Sequence, residues 1–199
     1  MFRLALTLPL AKRYLLPLVI VAALLIALFL LPEQLSSWLL FQRHAIDSGQ
    51  LWRLISGQFV HLSLGHLLLN LTGLGFVWLL FAEHTAGRCY LWLLPVLALG
   101  CGMGVWLFAP YIEYYVGFSG VLYGLFTWGA LQDVRQRQPF GRVLLVAIIA
   151  KASYEFIFSP IQLATISANP LATAAHFFGV ASALFIFFIN YLFCSKLNR

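Results

Sequence analysis

The apolar positions of this chain gather into long charge-poor runs separated by polar connections. Six such runs stand out, at about Tyr14 to Leu31, Phe59 to Ala82, Cys89 to Ala109, Ser119 to Gln132, Val143 to Phe158 and Leu171 to Cys194. Their lengths cluster near the ~20 residues that a ~30 Å hydrocarbon core demands of a helix. The pattern predicts an all-α polytopic membrane protein, a bundle of six transmembrane helices forming one domain over residues 1–199, with no internal repeat and no low-complexity stretch.

Composition narrows the class further. At 62% hydrophobic and 9% charged residues, the chain lies outside what a water-soluble domain tolerates. The first run follows Arg3, Lys12 and Arg13 but is longer than a signal-peptide core and ends in Leu31-Pro32-Glu33 without a small-residue cleavage site, so it reads as a retained signal anchor. Basic residues then set the orientation. Arg3, Lys12, Arg13, Arg88, Arg135, Arg137, Arg142, Lys196 and Arg199 fall on one side of a six-span arrangement, and only Arg43 and Arg53 on the other. By the positive-inside bias both termini are expected in the cytoplasm. The net charge of +6 follows from the same bias, with anionic lipid as its counter-charge and no nucleic acid required. Cys89, Cys101 and Cys194 fall in a span or at cytoplasmic ends, where no disulfide is expected.

The connections differ in kind. Residues Pro32 to Gln58 mix Trp38, Phe41, Leu51 and Trp52 with Arg43, His44, Asp47 and Arg53, which suits a loop half sunk in the membrane interface. Ser159 to Pro170 carries no charge, and its two prolines and polar Gln162, Thr165, Ser167 and Asn169 favour a flexible strap over a helix. Such a strap reads as a mobile cap or as a plain interfacial loop.

Candidate chemistry centres on Ser119, a hydroxyl set among Gly117, Gly120 and Gly124 at the mouth of the fourth run, and on His176 near the start of the sixth. An intramembrane imidazole is costly and marks a functional site by default. Gly117, Gly120 and Gly124 recur at helical spacing, as do Ala172, Ala175, Gly179 and Ala183, and small-residue stripes let helices approach closely. Either they are packing seams alone, or their closure brings Ser119 and His176 toward hydrogen-bonding distance. His66 and Asn70, four apart, share a helix face, and both can donate hydrogen bonds. Zinc is disfavoured: His61, His66 and His176 lack the spacing of a helical His-Glu-x-x-His site and a carboxylate to complete a ligand set. Lys151 and Glu155, also four apart, read as a mutually neutralising structural pair.

Gly-x-Ser-Gly-x-x-Tyr at Gly117 to Tyr123, Ala-His-x-x-Gly at Ala175 to Gly179, Trp52-Arg53, and His61-(x4)-His66-(x3)-Asn70 together resemble the rhomboid intramembrane serine proteases, in the family's order across the six-span core. The run from Trp52 to Leu71 and the short chain resemble rhombosortase, the bacterial branch that processes Gly-Gly C-terminal sorting signals. The resemblance implies Ser119 as nucleophile and His176 as general base, Tyr123 stacked on that base, and His66 and Asn70 in the oxyanion hole. It implies that Trp52, Arg53 and His61 fix the first loop, with Glu83 a looser match to a family anchor of the same region. Neither Glu113 nor Glu155 falls where the family uses an acid, so a dyad without a third member is expected. No cofactor or metal is expected. Partners would be the bilayer and membrane substrates with a C-terminal transmembrane tail, cut by a protein of the bacterial inner membrane whose active site faces the periplasmic side. The competing class is a catalytically inert rhomboid-like adaptor that binds transmembrane helices; the joint presence of Ser119, His176, His66 and Asn70 argues against it.

Overall fold

The computed structural model describes residues 8–86, 88–166 and 173–197. In chain order its elements are α1 (Lys12–Phe29), α2 (Glu33–Ser36), β1 (Phe41–Gln42), α3 (Arg43–Asp47), α4 (Arg53–Ser56), α5 (Leu64–Phe81), α6 (Arg88–Phe108), β2 (Tyr114–Tyr115), α7 (Ser119–Arg135), α8 (Gly141–Ile166) and α9 (Ala174–Leu197). Lys12–Phe29, Leu64–Phe81 and Tyr90–Phe108 are long and apolar enough to cross a membrane, with mean hydropathies of 2.1, 1.7 and 2.0. The protein is an all-α polytopic membrane protein.

The central helix α7 is less apolar than its neighbours for a physical reason. It is buried along most of its length, from Gly120 to Leu131, so protein rather than lipid is its solvent. One apolar cluster joins Val21 and Leu25 of α1, Leu74 and Val77 of α5, Leu93 and Leu97 of α6 and Val121 and Leu125 of α7. A second binds the first loop to the helices, through Phe41, Ile46 and Leu54 against Val105, Ala109, Tyr115 and Phe178.

The most extensive pairing in the bundle is α7 with α9. It depends on two glycines. A β-carbon on Gly179 would run into the Gly120 carbonyl, and one on Gly120 would come within 2.9 Å of the Ala175 carbonyl. The small-residue seam is therefore a real backbone-to-backbone approach. Gly117 is not part of it. It precedes α7 with φ +122°, a left-handed conformation that side chains rarely adopt, and it forms the turn that delivers Ser119.

The loop from Pro32 to Gln58 is a built brace. Arg43 lies inside it, not at the lipid surface: its guanidinium donates to the carbonyls of Val105, Trp106, Ala109 and Ile112, at 2.9, 2.6, 2.8 and 3.0 Å. The last carbonyls of a helix lack intrahelical partners, so a cation there satisfies acceptors and complements the helix dipole at once. Trp106 Nε1 donates to Asp47 at 2.8 Å from the other side. Arg53 is buried and donates to the carbonyls of Ser37 and Leu40 and to Gln50 Oε1, all at 2.8 Å. Trp52 remains exposed and donates through Nε1 to the Trp38 carbonyl at 3.0 Å.

Two boundaries differ most from the sequence reading. Phe59 to Ser63 belongs to the loop, because Ser63 caps α5 by accepting the His66 amide at 3.2 Å. The stretch from Ser159 to Ile166, expected as part of a strap, is helical instead and belongs to α8. A chain in lipid must satisfy its backbone internally, which favours helix even across a proline. Residues 167–172, which include the rest of that stretch and Ala172, lie outside the described residues.

Candidate active site

Ser119 is the first residue of α7, where the amides of the opening turn have no intrahelical acceptor and point toward the hydroxyl's surroundings. His176 stands in the first turn of α9, 57 residues later, and the glycine seam sets its distance: Nε2 lies 2.9 Å from Ser119 Oγ. Tyr123, one turn along α7, stacks on the imidazole with ring centroids 4.2 Å apart and planes 10° from parallel. Both members of the pair are partly accessible, so the hydroxyl is not sealed from a substrate.

The third partner of His176 overturns the expectation of a dyad. Its Nδ1 lies 2.8 Å from Oε2 of Glu155 on α8. Tyr123 Oη donates to the same carboxylate oxygen at 3.4 Å, and the other oxygen, Oε1, forms the ion pair with Lys151. The Lys151–Glu155 pair is present as the sequence predicts, but it uses only half of the carboxylate. The i, i+4 spacing offered a local partner that concealed the distant one. Only the packing of α8 on α9 brings Glu155 across from His176.

The two expected oxyanion donors diverge. The ring of His66 lies directly on the Gly117 turn, where any β-carbon would collide with it. Asn70 is buried, and its Nδ2 is 2.9 Å from Nε2 of His61. Nδ2 carries two hydrogens, so one remains for a second acceptor. His61 precedes the membrane helix α5, and burial together with the neighbouring His66 pushes its imidazole down to about 4. It is therefore neutral at pH 7 and ties the first loop to α5 without adding charge. His61 and His66 meet edge to face at 5.1 Å.

The turn before Ser119 is held from behind by residues the sequence did not reveal. Tyr115 Oη sits 2.7 Å from the Gly117 carbonyl and 3.0 Å from Gln58 Oε1. The Gly117 amide donates to the Gly57 carbonyl at 3.1 Å, while β1 and β2 pair antiparallel, Phe41 opposite Tyr115. Aromatic residues near a loop gave no signal of this role, since the bond from Tyr115 to Gln58 spans 57 residues. At the opposite end of α7, His84 contacts Asp133 at 2.8 Å and its carbonyl accepts from Trp128 Nε1 at 3.2 Å, so the anchoring at this end is made by His84. Among the described residues no group of three or more His, Cys, Asp or Glu side chains could hold a metal ion.

A helical membrane bundle with a serine hydroxyl on an imidazole, both at helix starts and braced by the loop from Pro32 to Gln58, is the arrangement now defined. The chain belongs to the rhomboid family, whose Rhomboid domain matches residues 48–193. It is thus a rhomboid-type intramembrane protease or a relative of one, in a family whose members are generally serine proteases and include some inactive proteins. Among curated proteins none matches the chain.

Proposed function

We propose that this protein is an active intramembrane serine endopeptidase that cuts single-span membrane proteins at Gly-Gly C-terminal sorting signals, as rhombosortases do. The observation that carries the reading is the 2.9 Å contact between Ser119 Oγ and His176 Nε2. His176 accepts the Ser119 proton as Oγ attacks the scissile carbonyl, then returns it to the leaving amine nitrogen. The Ser119 amide, His66 and the second Asn70 hydrogen take up the oxyanion. In this reading six helices, α1 and α5 to α9, span the bacterial inner membrane with both termini in the cytoplasm, and Ser119 faces the periplasmic half. The substrate is a protein anchored by one C-terminal helix. Glycines suit this site because they unwind a helix end at little cost and enter a cleft narrowed by the α7–α9 approach.

A reporter ending in Gly-Gly, one apolar helix and a basic tail is expected to be cut at or beside the glycines, and to stay whole with Ser119→Ala. Replacing both glycines with Leu should stop cutting while membrane insertion persists, as read by product mass. Equal cutting without the glycines would leave a general rhomboid protease. A chain that neither cuts nor reacts at Ser119 with a fluorophosphonate would instead be a helix-binding relative.

A further inference from the structure

We propose that Glu155 is a positioning residue that fixes His176 as a base, with Lys151 as the counter-charge that keeps the carboxylate ionised within the bundle. The inference rests on the protease reading of Ser119 and deepens it, replacing a dyad with an ordered chain of four groups from α7, α8 and α9.

To accept a proton from Ser119, Nε2 of His176 must be bare, so the imidazole proton must sit on Nδ1. A neutral imidazole with nothing at Nδ1 is free to place that proton on Nε2, where it blocks the reaction. Stacking on Tyr123 fixes the plane of the ring but does not choose between its two nitrogens. A carboxylate oxygen 2.8 Å from Nδ1 does choose, because it can only accept. When the Ser119 proton arrives at Nε2, the ring becomes a cation with two donors. Nδ1–H stays on Glu155, and Nε2–H is the one that can pass to the leaving amine. Glu155 itself gains and loses no proton. This is the work of the third member in triad enzymes.

An ionised carboxylate among apolar helices is costly when alone. Here both oxygens are occupied from different directions. Oε1 pairs with Lys151 one turn earlier on α8, and Oε2 accepts from His176 and Tyr123. Lys151 also lies 5.7 Å from the centre of the Tyr123 ring. The exposures divide the labour: the Glu155 side chain is 18% exposed and Lys151 61%. A pair serving only its own helix would gain little from holding the carboxylate inward, since exposed i, i+4 pairs contribute weakly. The buried end is turned to the base.

The test uses the purified full chain and a fluorophosphonate as probe, so it needs no knowledge of the substrate. Glu155→Gln removes the charge but strands Lys151, so the decisive variant is Lys151→Met/Glu155→Gln, which leaves neither ion unpaired. Its maximal rate of Ser119 labelling is expected to fall about a hundredfold or more, with the half-saturating probe concentration unchanged because Glu155 does not touch the probe. Nitrogen-15 NMR of labelled histidine, with His176→Ala identifying the resonances, should show His176 protonated at Nδ1 in the native chain and shifted toward Nε2 in the double variant. A native labelling rate in a folded double variant, or an unchanged tautomer, overturns the proposal. Failure of the native chain to label at all counts against the protease reading instead, and the tautomer measurement still decides the role of Glu155.

Discussion

His66 and Asn70 lie four apart on α5, yet they meet different surroundings, and substitutions should separate them. His66 is partly exposed and rests on the Gly117 turn, so His66→Ala is expected to slow the chemical step about a hundredfold or more while leaving thermal unfolding in detergent nearly unchanged. Asn70 is buried against His61, so Asn70→Ala should lower kcat and also destabilise the fold by about 1–3 kcal/mol, because it strands a buried ring nitrogen. Full kcat in His66→Ala would reassign that ring to packing. Ser119, His176 and Tyr123 were legible in the sequence because short motifs carry them. Glu155 was hidden by the lysine one turn away, and Arg43 by a loop composition that suits a lipid surface. In both cases the true partner is distant in the chain, 21 residues for Glu155 and His176 and 62 or more for Arg43 and its carbonyls.

The order of the helices is that of the charge-poor runs, but α8, 26 residues from Gly141 to Ile166, is longer than the run from Val143 to Phe158. Helix starts did not follow from the runs, because a single cap decides them: Ser63 moves the start of α5 to Leu64, and the Gly117 turn moves the seam of α7 to Gly120 and Gly124. The seam itself makes a sharp prediction. Gly179→Val forces a branched side chain against the Gly120 carbonyl, and overpacking of this kind costs about 1–3 kcal/mol. The variant should remain helical by circular dichroism but lose most Ser119 labelling, because α9 must shift and His176 shifts with it. A fully active Gly179→Val would mean that the base is positioned by something other than this approach.

For the molecule as a whole, orientation decides which compartment the serine serves. With Cys89, Cys101 and Cys194 replaced by Ser, Gln138→Cys in the exposed turn between α7 and α8 should react with a membrane-impermeant maleimide only after the inner face is opened, and Ser48→Cys in intact spheroplasts. The reverse pattern would put the site toward the cytoplasm. The order of the reacting groups along the chain has a consequence for biosynthesis. The ribosome makes Ser119 57 residues before His176. At ~5–20 residues per second that is roughly 3 to 11 s during which the proposed nucleophile exists and its proposed base does not. If the protein is the protease proposed above, a nascent chain therefore enters the bilayer unarmed, beside other newly inserted helices. In that reading α9 is the helix that arms it.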